Sequence, residues 1–251
     1  MKATDIIRAS VAEVAEIRRL VAQDPKRRWA LSAVKSYQSL RFEHSYRDLI
    51  AGGPYRSAAL FFLNELYGVA DFSQRDAQFS KIAGAIERLL PEQAVGTAVA
   101  LAQLHLLTEQ LDHAMADAWP QVSGHATVAE QYVSAWRVVS QPAQRQHQLQ
   151  LVLGLGRDLE RLTRIPGLRL MLKMMRRPAQ AAGLAELQHF LELGFDTFAG
   201  LAKKTSGVSQ FLELIQARET QTISALFDPL LDVTQAIQEG MLPMGSEAGL
   251  Y

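Results

Sequence analysis

From Ala94 to Trp119 the chain reads as one uninterrupted helix, and its apolar stripe, Leu101, Leu104, Leu111, Met115 and Trp119, is shared with three polar groups, His105, Glu109 and Asp112. At about 100° per residue these three fall within about 60° of one another, with Asp112 near the middle of the stripe. A carboxylate at such a place is either paired or functional, because leaving it buried and unsatisfied is too costly. The spacing therefore predicts that Asp112 is largely buried and bonded to a cation or to backbone donors.

The same period recurs along almost the whole chain, and no run alternates with period two. The expected fold is all-α, a multi-helix bundle of about ten helices. A first amphipathic helix spans Ile6 to Leu20, and a second runs from Arg28 to Ile50, with Trp29, Ala33, Tyr37, Leu40 and His44 on one face. The third, Tyr55 to Tyr67, ends at Gly68, a natural left-handed cap. Ser73 marks the next start, with Phe72 as a staple and Asp76 as a capping partner or dipole-facing acid. Pro91 closes that helix and opens the central one.

Beyond Trp119-Pro120, Gln121 to Ala126 reads as a joint. It separates an N-terminal bundle, residues 1–120, from a C-terminal helical part, residues 127–239, and the two form either one bundle or two subdomains. Thr127 and Glu130 make a capping box, and further helices follow from Pro142 to Leu162, Gly167 to Arg177, Ala179 to Lys203 and Ser209 to Phe227, with a short last one ending at Gln238. The helix ending at Lys203 has the core stripe Leu184, Leu187, Leu191, Phe195 and Phe198. Residues 240–251, containing Gly, Pro and Met, read as a loosely held tail.

The run Phe61-Phe62-Leu63-Asn64-Glu65-Leu66-Tyr67-Gly68, followed by Asp71-Phe72-Ser73 and Arg75-Asp76, resembles a family of uncharacterised bacterial proteins marked by an FFLEELY motif. This chain carries Asn64 where the family pattern has an acid. The similarity extends from about Arg41 through the Leu104-His105 and Leu111-Asp112 segment, and more weakly into the C-terminal half. It implies an all-helical bacterial protein and brings no activity with it. Physically, Phe61, Leu63 and Tyr67 cannot share a helix face with Phe62 and Leu66, so the segment must be wrapped by neighbours on most sides.

Composition narrows the function. Twenty-six basic and 26 acidic side chains cancel, so there is no overall positive field to argue for nucleic acid. The chain contains no cysteine, which excludes disulfides, thiolate metal sites and cysteine nucleophiles and fits a reducing compartment. No apolar run approaches the length of a membrane span, and the first twenty residues carry Asp5, Glu13 and Glu16, so the expected setting is cytoplasmic.

Chemistry is best sought where polar groups sit on apolar faces. His44 and Asp48 lie one turn apart on the second helix, flanked by Tyr37 and Arg41. If that helix packs beside the central one, His44, Asp48, His105, Glu109 and Asp112 form a set able to hold Fe, Mn or Zn. The alternative is a buried polar network in which Arg41 neutralises Asp48 or Asp112. Glu186 and His189 have the Glu-x-x-His form of di-iron bundles but lie opposite the core stripe and should face solvent. Gly154-Leu155-Gly156 sits inside a helical pattern and reads as a close-packing point.

Arg161 to Arg177 contains six cations and no acid. Arg169, Lys173, Arg176 and Arg177 gather on one side and Leu170, Met171, Met174 and Met175 on the other. That pattern suits an anionic membrane surface or an acidic partner, and equally a bundle helix with a solvated basic face. Three readings follow: a helical binding or adaptor module with a groove for a protein, a peptide or an apolar small molecule; a metal-dependent (Fe/Mn) oxidase of haem-oxygenase-like or ferritin-like type; or a peripheral membrane protein.

Overall fold

A computed structural model describes residues 1–66, 73–122, 127–204 and 207–245. Among them are thirteen α-helices and no strand. They are α1 (Ala3–Ala22), α2 (Pro25–Ser45), α3 (Arg47–Ala51), α4 (Arg56–Phe61), α5 (Ser73–Leu89), α6 (Glu92–Val122), α7 (Val128–Val139), α8 (Pro142–Thr163), α9 (Leu168–Met174), α10 (Arg176–Ala181), α11 (Ala185–Ala202), α12 (Gly207–Phe227) and α13 (Val233–Gln238). The expected cap at Gly68, the staple at Phe72, residues 123–126 of the joint and 246–251 of the tail lie outside the described residues.

Local chemistry accounts for most of these boundaries. Asp24 accepts hydrogen bonds from the amides of Lys26 and Arg27, and Pro25 follows it at the first helical position, where its missing N–H has no acceptor to lose. Thr127 and Glu130 close the anticipated capping box: the Glu130 amide donates to Thr127 Oγ1 at 3.2 Å and the Thr127 amide to Glu130 Oε2 at 2.7 Å. Three expected helices are divided, among them the one from Gly167 to Arg177, which breaks at Met175 between α9 and α10. The one from Arg28 to Ile50 breaks at Tyr46 into α2 and α3, and the stretch from Ala179 to Lys203 is interrupted at Gly183, whose φ of +71° suits glycine and ends the turn after α10.

Of the FFLNELY segment the described residues, Phe61 to Leu66, are helical but not uniformly α. After α4 the chain forms a π-helical turn over Phe62–Leu66. Phe61 and Phe62 are both buried, and they join Phe190, Phe198 and Phe211 in an aromatic cluster with centroid separations such as 5.8 Å for Phe61–Phe190 and 5.3 Å for Phe62–Phe211.

The 31-residue α6 is the axis of the fold: α1, α2, α7 and α8 all pack on it, and α8 in turn carries α11 and α12. One contiguous core holds buried side chains from Ile7 to Leu242, drawn from both sides of the anticipated joint. Gly156 is a close-packing point, since a Cβ there would stand 2.6 Å from Leu212 Cδ2, whereas Gly154 meets nothing within 4 Å. The described part of the tail, 240–245, is docked rather than loose. Leu242 is buried, the amides of Met241 and Leu242 donate to the Ala236 carbonyl, and the Tyr37 hydroxyl donates to the Pro243 carbonyl at 3.0 Å.

Candidate functional site

The polar groups on α6 meet partners from three other helices. Glu109 Oε1 accepts from Arg18 Nη2 of α1 at 2.8 Å and from Lys35 Nζ of α2 at 3.0 Å. Arg18 Nη1 also pairs with Asp76 Oδ2 of α5 at 2.8 Å, and the same Asp76 oxygen lies 2.8 Å from His105 Nε2. An ionised carboxylate only accepts, so His105 donates through Nε2–H, and the 3.3 Å approach of Arg18 Nη2 to that nitrogen is a packing contact rather than a second hydrogen bond. Burial pushes Glu109 and Asp76 upward, but Lys35 and Arg18 in the first case, and His105 and Arg18 in the second, hold both carboxyls below their ordinary values.

Asp112 is as buried as the stripe predicts, at 2% exposure, but its partner is neither a cation nor a backbone donor. Gln38 Nε2 donates to its Oδ1 at 2.9 Å, and burial raises its pKa against the pull of Lys35 and Arg145. Arg41 pairs with neither Asp48 nor Asp112. It makes a bidentate pair with Glu219 of α12, at 3.2 and 3.1 Å, and the Tyr46 hydroxyl donates to the same carboxylate at 2.9 Å.

Of the five residues set out as metal ligands, only His105, Glu109 and Asp112 share a helix face. His44 Nε2 lies 2.8 Å from the Gly240 carbonyl, and Asp48 makes a bidentate pair with Arg218 at 2.7 Å, so both are engaged on the α12 and α13 side. No group of three or more His, Asp or Glu side chains among the described residues is spaced to hold a metal ion. Glu186 and His189 are exposed, as their opposition to the core stripe requires.

Sequence reasoning missed Arg18, Lys35 and Asp76. Nothing in the local pattern sets Arg18 and Lys35 apart from the other cations of their helices, and Asp76 looked like an N-terminal capping acid. One signal was present: an acid pair on the apolar stripe of α6 demanded cations from whichever helices covered it.

The ionic cluster borders a space of about 50 Å³ lined in part by Arg75, Asp76 and His105, and this shares Phe79, Leu101 and Phe190 with a larger cavity of about 230 Å³. The larger cavity lies between α5, α6, α8, α9 and α11, with Phe61 and Phe62 in its wall. Its wall side chains are apolar except for Thr97 and Gln188. Both of these spend their donors inside the protein, Thr97 Oγ1 on the Gln93 carbonyl at 2.8 Å and Gln188 Nε2 on the Leu172 carbonyl at 2.6 Å. A wider depression of about 520 Å³ between α4 and α11 is bordered by Ser57, Asn64, Asp196, Thr197 and Lys204 and can hold water without penalty.

The basic segment is largely neutralised within the chain. Arg161 pairs with Asp158, Arg164 with Glu160, Arg169 with Asp196 and Arg176 with Glu192. No helix among the described residues is long and apolar enough to cross a membrane.

Fold and site together define an all-helical bundle with an internal apolar cavity beside a buried ionic cluster. The chain belongs to the family described as a domain of unknown function, DUF8198, whose model matches residues 17–231. No curated protein and no solved structure matches it.

Proposed function

We propose that the protein binds an apolar small molecule in the cavity between α5, α6, α8, α9 and α11. The observation that carries this is the combination of size and lining. An apolar cavity of roughly 150 Å³ stays dry and takes up benzene; by the same ratio one of about 230 Å³ accommodates roughly nine or ten carbons. Water gains little there, because the two polar wall residues already use their donors. At about 24 cal/mol per Å³, leaving such a volume empty costs about 5 kcal/mol, and an occupant that fills it recovers part of that. Full recovery would correspond to a dissociation constant on the order of 0.1 mM, and partial recovery to weaker binding, toward about 1 mM. Selection is by shape and apolar length rather than by a polar anchor. A setting in the bacterial cytoplasm is supported by the absence of cysteine and by the motif resemblance.

The test is uptake of a neutral apolar fluorophore of that size, naphthalene, with displacement by decanol. Wild type should take up one equivalent. Ala98→Leu, which fills the cavity from α6, should weaken uptake by about tenfold while circular dichroism stays helical. Absence of uptake at aqueous saturation of the dye, or unchanged uptake in a folded Ala98→Leu protein, overturns the proposal.

A further inference from the structure

We infer that α9 and the start of α10 dock on an anionic phospholipid bilayer and present the mouth of the cavity to its acyl chains. The inference takes the cavity as the binding site proposed above. α9 has two uses for its apolar side chains. Leu168, Met171 and Leu172 face inward and wall the cavity, while Leu170 and Met174 point away from it and are 62% and 69% exposed. Met175, at the junction of α9 and α10, belongs to both sets: it lines the cavity and at 45% is the most exposed side chain on its wall. The cavity therefore opens where the chain also displays three of its exposed apolar side chains within six residues.

Charge selects the occupant of that surface. Arg169 and Arg176 are paired with Asp196 and Glu192, whereas Lys173 and Arg177, both exposed, make no direct ion pair among the described residues, although Lys173 stands near enough to Glu192 to help lower its pKa. Two exposed cations without a direct ion pair, beside three exposed apolar side chains, match an anionic lipid surface, where the cations meet phosphates while Leu170, Met174 and Met175 enter the boundary of the acyl region. An apolar molecule leaving the bilayer at Met175 then moves into the cavity without crossing water. An acidic protein partner would satisfy the cations but would not explain why the exposed apolar residues sit at the cavity's mouth.

Cosedimentation with large vesicles decides the matter, using phosphatidylglycerol mixed with phosphatidylcholine against phosphatidylcholine alone, at low and high salt. Wild type should pellet with the anionic vesicles at low salt and be released by salt. Leu170→Glu with Met174→Glu, and separately Lys173→Glu with Arg177→Glu, should each lower binding about tenfold or more. None of these four side chains lines the cavity, so dye uptake without vesicles should be unchanged. Wild type that fails to pellet at low salt, or variants that pellet like wild type, overturn the inference. Loss of dye uptake by wild type with vesicle binding intact would instead overturn the cavity proposal and leave the surface standing.

Discussion

Glu109 and Asp112 stand one turn apart on α6, equally inaccessible to water, and should respond in opposite ways to loss of charge. Glu109→Gln leaves Arg18 with Asp76 but deprives Lys35 of its one ion pair among the described residues. The new amide would also place a donor where Glu109 Oε2 is now buried without a partner. Breaking a buried pair by removing one member costs about 3–5 kcal/mol; because Arg18 and Lys35 are 24% and 29% exposed and can turn partly to water, about 2–3 kcal/mol is expected here. For a chain of this size that is a fall in Tm of about 4–10 °C. Asp112→Asn keeps an oxygen for Gln38 and removes a charge that burial disfavours, so its cost at neutral pH should be within about 1 kcal/mol. The pH dependences also diverge. Glu109 is held below its ordinary 4.5, so its contribution is present above that pH and disappears as the pH falls through the folded-state value. Asp112 is raised above 3.8, so in wild type it destabilises progressively as the pH climbs from there through its folded-state value, and Asp112→Asn should lose that slope. Urea titrations followed by tryptophan fluorescence from pH 3.5 to about 7.5 measure all three proteins. Should Asp112→Asn cost more than Glu109→Gln at neutral pH, the assignment of the charge balance on α6 is wrong.

Two further perturbations test other joins. Glu219→Gln leaves Arg41 buried beside Tyr46 without its bidentate partner and should cost about 3–5 kcal/mol, read as a lowered urea midpoint; an unchanged midpoint would mean the pair contributes nothing. Tyr37→Phe removes the hydroxyl bond to the Pro243 carbonyl at a cost of about 1 kcal/mol and should speed proteolytic clipping after Gly240, whereas equal clipping rates would show that Leu242 burial and the backbone bonds to Ala236 hold the segment without it.

The helical class and most element starts were legible because their causes are local. Period 3.6 along the chain, Pro142 at the start of α8 and the Thr127–Glu130 box all act within a few residues. The breaks at Tyr46 and Gly183 were not, since neither interrupts the apolar pattern that surrounds it. The site was legible only as a demand. Asp112 and Glu109 on an apolar stripe announced burial, but Arg18, Lys35 and Asp76 answer it from helices 29 to 91 residues away in sequence, and only tertiary packing says which helix covers which face. The cavity left no mark at all in the periodicity, because a lining side chain and a fully packed one read alike as apolar.

Those two halves of the site occupy different stretches of one helix, and the division has a physical sense. Near its N-terminus α6 offers Ala94, Thr97 and Ala98 at helical spacing, side chains too short to fill the space toward α8, α9 and α11, and the cavity lies there. Farther on, His105 and Glu109 bring α1, α2 and α5 onto the same helix through directional bonds of 2.8–3.0 Å. Apolar packing alone would let the helices slide inward until the empty volume closed, since collapse recovers the contacts that a void forfeits. A charged cluster resists that slide, because moving α1 or α5 along α6 would separate Arg18 from Glu109 and Asp76 from His105 in a place with little water to replace them. On this account the ionic cluster does not touch the proposed ligand; it fixes the register of the helices that keep room for one, so weakening it should loosen the cavity before it unfolds the bundle.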